Sequence, residues 1–162
     1  MALVVVMGVT GAGKSTVGSR LADRLGVPFA DADDFHSPEN VAKMRAGTPL
    51  TDDDRLPWLR SIGAWLAEHG DPGAVVTCSA LKRAYRDILR TAAPDLTFLH
   101  LDGDIDTVRH RVADRPGHFM PESLVQSQFD ALEPLEADER GIVVDLGLPV
   151  DAIVERVASE LS

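Results

Sequence analysis

Eight consecutive residues near the amino terminus have the types and spacing needed to hold a phosphate chain. They read Gly-Val-Thr-Gly-Ala-Gly-Lys-Ser and fit the pattern G-x-x-x-x-G-K-[S/T]. Glycines let a backbone wrap around phosphates, and successive N–H groups at a helix N-terminus point at phosphate oxygens. Lys14 supplies a mobile positive charge for the β- and γ-phosphates, and the Ser15 hydroxyl can bind Mg²⁺. The segment therefore predicts a nucleoside triphosphate site, made of Gly8, Val9, Thr10, Gly11, Ala12, Gly13, Lys14, Ser15 and Thr16.

A second group of polar residues follows an apolar run further along the chain. Asp31, Asp33 and Asp34 lie within four positions, and such carboxylates stay together only with a cation or basic groups nearby. Facing a phosphate loop, one carboxylate can orient Mg²⁺ through water, and another can accept the proton of an attacking hydroxyl. An isolated acidic turn is more often a solvated loop. The acidic segment of this chain comes directly after a predicted strand, opposite a phosphate loop, and this position favours the catalytic interpretation.

The elements that must position these residues alternate along the sequence. Five apolar runs without polar alternation are typical of parallel strands covered on both faces; they span 3–7, 27–31, 74–78, 96–101 and 142–145. Helices are expected after the glycine loop, over 38–46, from a cap at Thr51 to about 66, and over 81–91, 104–114 and 150–161. This order predicts a three-layer α/β domain with a five-stranded parallel sheet, whose ligands bind at the carboxyl ends of the strands.

Composition narrows the possible partners and location. The chain has 162 residues, is 44% apolar and carries a formal net charge of −10. An acidic surface repels nucleic acid and anionic membranes, so neither is expected as a partner. We expect a cytoplasmic protein, because nothing at its start resembles a signal peptide and no apolar stretch approaches the ~20 residues of a membrane span. Cys78 is the only cysteine and is expected to be a small core residue.

Four further segments carry a resemblance to a known family. They are D-x-D-x-x-H from Asp31, D-D-D-R-x-P-W-L from Asp52, C-S-A-L-K-x-x-Y-R from Cys78, and G-H-F from Gly117. In this order and spacing, over nearly the whole chain, they resemble the bacterial-type gluconate kinases, the thermoresistant gluconokinase family. The resemblance implies ATP-dependent phosphorylation of D-gluconate on its terminal hydroxyl, giving 6-phospho-D-gluconate. It also implies ATP and Mg²⁺ as cofactors and a homodimer.

The resemblance further implies the layout of the molecule. The fold is expected to be that of a P-loop NTPase, like the shikimate and adenylate kinases. Residues 1–162 would form a single kinase domain. A substrate-binding helical region would span about 35–69, and a mobile lid would span about 115–128.

Chemistry and resemblance together suggest a role for each polar residue. Gluconate carries a carboxylate, which a guanidinium binds well. Arg55 is the first choice for that contact, and Lys82 and Arg86, at i and i+4 on one helix face, are the alternatives. Asp33 is expected to orient or deprotonate the acceptor hydroxyl, and Asp31 to serve Mg²⁺ together with Ser15. The full substrate-binding set is Asp33, His36, Arg55, Ser79, Lys82, Arg86, His118 and Gln128.

Two arginines complete the predicted machinery. Arg115, brought in by lid closure, is expected to stabilise the charge that builds on the transferred phosphoryl group, so that the catalytic residues are Lys14, Asp33 and Arg115. Arg111 resembles the position that stacks on adenine in related kinases.

Two other functions remain as alternatives. A shikimate or nucleoside monophosphate kinase would share the phosphate loop, but the segments from Asp52 and Ser79 argue against both. A GTPase-like switch would need the guanine-specific motif N-K-x-D, which the sequence lacks. A binding module without catalysis would also have lost the carboxylates opposite the loop.

Overall fold

The structure is a computed structural model that describes residues 2–48, 50–113 and 122–161. One sheet of five parallel strands runs in the order β2-β3-β1-β4-β5. The strands are β1 (Ala2–Met7), β2 (Phe29–Asp31), β3 (Gly73–Thr77), β4 (Thr97–Asp102) and β5 (Gly141–Asp145). The predicted five-stranded parallel sheet is therefore confirmed. β2 begins two residues later than predicted, since Pro28 has no N–H for the ladder and the N–H of Val27 caps the preceding helix at Ala22 O.

Seven α-helices lie among the described residues and cover both faces of the sheet. They are α1 (Lys14–Leu25), α2 (Pro38–Arg45), α3 (Asp52–Glu68), α4 (Arg83–Ala92), α5 (Ile105–Ala113), α6 (Glu122–Ala131) and α7 (Val150–Leu161). A 3₁₀ turn, Ala32–Phe35, follows β2. No helix formed by these residues is long and apolar enough to cross a membrane.

The central strand β1 explains the three layers. Its side chains alternate between two apolar clusters: Val4 and Val6 face α1, α5 and α7, whereas Val5 and Met7 face α3 and α4. All four side chains are fully buried. A strand covered on both faces has no polar positions, which is why it reads as a continuous apolar run in the sequence.

Local signals fix the helices around the site. Ser37 caps α2 by accepting the N–H of Asn40 at 3.1 Å, and Pro38 occupies the first turn. Thr51 and Asp54 form a reciprocal capping box at the start of α3. Both predicted helix starts are confirmed. The sequence interpretation did not predict α6, which occupies all of the described part, 122–128, of the segment expected to be a lid.

Candidate functional site

A cleft of about 440 Å³ opens at the carboxyl edge of the sheet. It combines the glycine loop, the acidic turn after β2, the end of β3 and the faces of α3 and α4; its polar lining includes Lys14, Ser15, Asp31, Asp33, His36, Arg55, Ser79, Tyr85 and Gln128. A wider groove of about 710 Å³ lies at the opposite edge, beside the starts of β1, β4 and β5. We assign function to the smaller cleft, because there the phosphate loop and the acidic turn face each other.

The glycine loop is shaped by backbone conformations that only glycine adopts easily. Gly11 and Gly13 have φ angles of 88° and 90°, and Gly13 is the N-cap of α1. A Cβ on Gly11 would lie 2.8 Å from Cγ2 of Val112, so a larger residue would collide with α5. The Nζ atom of Lys14 donates to the carbonyls of Gly8 and Val9, each at 3.0 Å. The loop therefore wraps around its own ammonium group.

The acidic turn meets the start of α1. The Ser15 hydroxyl donates to Oδ2 of Asp31 at 2.9 Å, and Oδ1 of Asp31 accepts the N–H of Asp33 at 3.0 Å. These oxygen atoms are ligands of the kind that Mg²⁺ prefers, and Mg²⁺ usually takes its other ligands from water and phosphates. The hydroxyl of Ser15 and the carboxylate of Asp31 fit such a partial ligand set. No group of three or more His, Cys, Asp or Glu that could hold a metal occurs in the described part of the chain.

Asp33 has the electrostatics expected of a proton acceptor. The residue stays accessible from the cleft, but partial burial of its carboxyl raises the pKa above the usual range for aspartate. The negative charge of Asp31 raises the pKa further, while His36 and Lys14 oppose the shift. A carboxylate with a raised pKa is a stronger base than an ordinary aspartate.

His36 and Trp58 fix the acidic turn from the substrate side. Their rings stack with centroids 4.3 Å apart, and the Trp58 indole N–H donates to the carbonyl of Ala32 at 2.7 Å. Burial lowers the pKa of His36, so its ring is neutral at pH 7 and offers one donor and one acceptor. His36 therefore lines the cleft as an uncharged hydrogen-bonding group.

Arg55 and Lys82 converge on one ring at the far side of the cleft. The Arg55 guanidinium lies 5.7 Å from the centroid of Tyr85, and the Lys82 ammonium lies 5.6 Å from it. Arg55 Nη1 donates to the Tyr85 hydroxyl at 3.3 Å, and that hydroxyl donates to Asp52 at 2.5 Å. Two cations and a hydroxyl thus gather where the sequence predicts a carboxylate site.

Arg86 does not reach the cleft, and its assignment to substrate binding is corrected by its burial. Its side chain has no exposed surface and pairs with Glu139 through two bonds of 2.7 and 3.1 Å. Its remaining donors bind the carbonyls of Ala80, Leu81 and Pro134. Arg86 supports the loop after β3 from behind, and it has no donor left for a ligand.

The reason lies at the start of α4. Helix was predicted from residue 81, which would put Lys82 and Arg86 on one face. The helix instead begins at Arg83, and Lys82 is its N-cap with extended backbone angles, φ −103° and ψ 143°. The two side chains therefore do not share one helix face: Lys82 points toward Tyr85, and Arg86 points inward.

The remaining predicted residues fall in three places. Ser79 lines the cleft, and its carbonyl accepts the N–H of Gly8 at 3.3 Å. Arg111 lies beside the loop and donates to the carbonyls of Ala12 and Leu146. Gln128, on α6, accepts the N–H of Thr10 through Oε1 at 2.6 Å. Arg115 and His118 lie outside the described residues.

Comparison with known proteins agrees with this arrangement. The sequence model of the shikimate kinase family matches residues 10–133. The thermosensitive gluconokinase of Escherichia coli K12 is 45% identical over 156 residues, covering 94% of this chain and 83% of its own. A solved gluconokinase from Sinorhizobium meliloti 1021 is 46% identical with a TM-score of 0.87, covering 99% of this chain and 95% of its own. The chain belongs to the gluconokinase family.

A second solved structure, of a sugar kinase from Janibacter sp. HTCC2649, is 52% identical with a TM-score of 0.91 and covers 99% of this chain and 94% of its own. Membership of the gluconokinase family, together with the shikimate kinase match, establishes the P-loop kinase fold predicted from the sequence. Within that family fold, the cleft is lined by the phosphate loop, the acidic turn and residues of α3 and α4.

Sequence reasoning missed two residues of this family cleft. Trp58 fixes the acidic turn, and Tyr85 joins Arg55 to Asp52. Trp58 lies in the segment from Asp52, and Tyr85 lies in the segment from Cys78. Both segments carry the gluconokinase resemblance, and this position is the sequence signal that could have identified the two residues. Cys78, by contrast, is buried as expected, and burial raises the pKa of its thiol to about 12.

Proposed function

We propose that this chain transfers the γ-phosphoryl group of ATP to the terminal hydroxyl of D-gluconate, giving 6-phospho-D-gluconate and ADP. The observation that carries the proposal is that one cleft joins a complete phosphate loop to an acidic turn and to the side chains of Arg55 and Tyr85. The phosphate loop suits a triphosphate, and the acidic turn suits an attacking hydroxyl. Arg55 and Tyr85 suit the carboxylate of an acid. The names of the relatives, gluconokinases at 45–46% identity, support this acceptor.

The phosphate loop would bind the nucleotide. Backbone N–H groups of the loop, from Thr10 to Thr16, would hold the β- and γ-phosphates, and Lys14 would follow the charge that builds on the transferred group. The ammonium already lies at the loop, 3.0 Å from two of its carbonyl oxygens, so it needs only a short movement to reach a phosphate oxygen. Arg111, on the other side of the loop, would border the adenine.

Mg²⁺ would be held at Ser15 and Asp31, where it would neutralise phosphate charge. The 2.9 Å contact between the Ser15 hydroxyl and Asp31 supports this assignment. The Ser15 hydroxyl oxygen and the Asp31 carboxylate oxygen lie close enough together to help bind one ion.

Asp33 would position the acceptor hydroxyl and take its proton as the O–P bond forms. The proton moves to the Asp33 carboxylate, the oxygen becomes bonded to phosphorus, and the bond to the β-phosphate oxygen breaks, releasing ADP. The raised pKa of Asp33 favours this transfer. His36, neutral and stacked on Trp58, would hydrogen-bond a hydroxyl of the sugar chain.

Arg55 would hold the carboxylate at the other end of the acceptor. Its guanidinium is one-third exposed and lines the cleft, whereas Arg86 has no exposed surface. These exposures support Arg55 over Arg86. We further propose that Gln128 contacts the acceptor once it has left Thr10, and that the protein acts in the cytoplasm as a homodimer.

The deciding experiment is ADP release from Mg·ATP, coupled to NADH oxidation. D-gluconate, shikimate, a nucleoside monophosphate and no acceptor are compared in parallel wells. Turnover with gluconate alone is the expected result. Turnover with shikimate or a nucleotide would keep the kinase and overturn the acceptor, and no turnover in any well would overturn the enzymatic function.

A further inference from the structure

The two cations beside Tyr85, Arg55 and Lys82, already lie near a carboxylate of the protein itself, that of Asp52. Oδ1 of Asp52 accepts the Tyr85 hydroxyl at 2.5 Å. The same oxygen lies 3.8 Å from Arg55 Nη1 and 4.0 Å from Lys82 Nζ. Three donors from two helices thus converge on a single carboxylate oxygen.

Tyr85 is the centre of this arrangement. Its hydroxyl accepts from Arg55 and donates to Asp52, and the two cations lie 5.7 and 5.6 Å from the centroid of its ring. Burial and the hydrogen bond to Asp52 raise the pKa of Tyr85, so the hydroxyl keeps its proton at neutral pH and remains a donor. It can therefore bind a carboxylate as an uncharged partner of the two cations.

Asp52 is held in a way that a ligand can reverse. Its side chain is 68% exposed, and its two ion pairs are long. Exposed ion pairs at such distances contribute little to stability. When Asp52 leaves, its exposed carboxylate remains in water, and the Tyr85 hydroxyl, which lines the cleft, can donate to the carboxylate of the acceptor instead.

We propose that Tyr85 is a specificity-determining residue that binds the acceptor's carboxylate together with Arg55 and Lys82, and that Asp52 occupies this position only until the acceptor displaces it. The inference rests on the proposed function, because it requires a carboxylic acid as acceptor. It adds Tyr85 to the residues that touch the acceptor. It also gives Asp52 a role that competes with binding.

The two residues therefore have opposite effects on the gluconate KM. Tyr85→Phe removes a donor to a charged group and raises this KM about ten-fold, with kcat little changed. Asp52→Asn removes the competing charge and lowers the KM. If the cluster served only to hold α3 against α4, both substitutions would raise the KM, so the sign for Asp52→Asn separates displacement from support.

The test measures kcat and KM for D-gluconate and for ATP in the full chain and both variants. Asp53→Asn is the matched control, because it removes the same charge from the same helix turn but lies outside the cluster, and its gluconate KM is expected to stay unchanged. A higher KM in Asp52→Asn, or an unchanged KM in Tyr85→Phe, would overturn the inference while leaving gluconate turnover intact. If the unchanged protein turns over no carboxylic acid, the proposed function fails first, and this inference fails with it.

Discussion

Gln128 binds the backbone of the phosphate loop: its Oε1 atom accepts the N–H of Thr10 at 2.6 Å, across 118 positions of the sequence. The contact joins α6 to the loop. It uses an N–H group of the kind that a phosphate loop offers to its nucleotide. Since we propose that this loop binds the nucleotide, a bound phosphate would compete with the Gln128 carboxamide for the Thr10 N–H.

This competition predicts that Gln128→Ala strengthens nucleotide binding in the absence of acceptor. Removing a hydrogen bond worth about 1 kcal/mol should lower the ATP Kd about five-fold. Calorimetric titration with ATP measures the change. Gln126→Ala is the control, since Gln126 lies on the same helix and its bonds run to Asp130 and Arg109 rather than to the loop. Weaker ATP binding by Gln128→Ala would instead indicate that this side chain holds the nucleotide.

Asp33→Asn should abolish most activity and flatten the acid side of the pH profile. Loss of a proton acceptor typically costs 10²–10⁴-fold, so kcat should fall by about that factor. In the unchanged protein, kcat/KM should decline as pH falls through a pKa above the ordinary aspartate value of 3.8. Rates measured between about pH 4 and 8 test this decline, because raised aspartate pKa values in proteins fall roughly in that range. Near-normal turnover in the variant would remove Asp33 from the mechanism.

The same substitution should make the protein more stable at neutral pH. The pKa of Asp33 is higher in the folded chain than in the unfolded one. Its contribution therefore favours folding at low pH and is lost as pH rises through the folded pKa. At pH 7 the ionised carboxylate opposes folding, and asparagine removes that opposition. A Tm for Asp33→Asn below that of the unchanged protein would contradict this assignment of the shift.

Arg55→Ala should act on the acceptor and leave the nucleotide unaffected. A hydrogen-bonded charge pair is worth about 1.5–3 kcal/mol, which corresponds to a gluconate KM raised about 10- to 150-fold. The KM for ATP should not change. Arg60→Ala, which removes an exposed arginine from the same helix, should leave both constants unchanged. An effect confined to ATP would contradict the assignment of Arg55 to the carboxylate.

Arg86→Met should destabilise the fold, because it removes the buried guanidinium that pairs with Glu139 and leaves that carboxylate to Arg90, which lies 2.8 Å from it. Breaking a buried pair typically costs about 3–5 kcal/mol of unfolding free energy, and the loss here should lie at the lower end of that range because Arg90 still pairs with Glu139. Denaturant titration measures this, with Arg24→Ala as the control for an exposed pair, expected to lose less than about 1 kcal/mol. The double variant Arg86→Met/Glu139→Leu should recover much of the loss. A single variant as stable as the unchanged protein would show that the pair carries no stability.

Sequence alone predicted the elements better than the contacts between them. The phosphate loop, the parallel strands and the caps at Ser37 and Thr51 follow from local rules, and the structure agrees. Helix α6 was missed although Val125, Phe129 and Leu132 stand at i, i+4 and i+7 and pack on the core. The family resemblance predicts a lid up to residue 128, and this prediction does not use the helical spacing of the segment. The strand order was not predicted either, since it depends on crossovers between elements distant in the chain.

The misassignment of Arg86 has the same origin. An arginine four positions from Lys82 looks like a second cation on one helix face, and nothing local indicates a carboxylate 53 positions later. A two-residue change in where α4 begins was enough to separate the two side chains. Helix boundaries are the least reliable part of a sequence interpretation, and here one boundary decided a functional assignment.

The buried pair also limits how α6 can move. Glu139 and its neighbours attach the chain after α6 to α4, through Arg86 and through the N–H of Glu133, which donates to Leu81 O at 2.7 Å. Sliding this connection along α4 by one residue would break the pairs of Glu139 with Arg86 and Arg90, and breaking a buried pair costs several kcal/mol. Any swing of α6 that carries Gln128 away from Thr10 must therefore pivot about the carboxyl end of the helix, near Leu132.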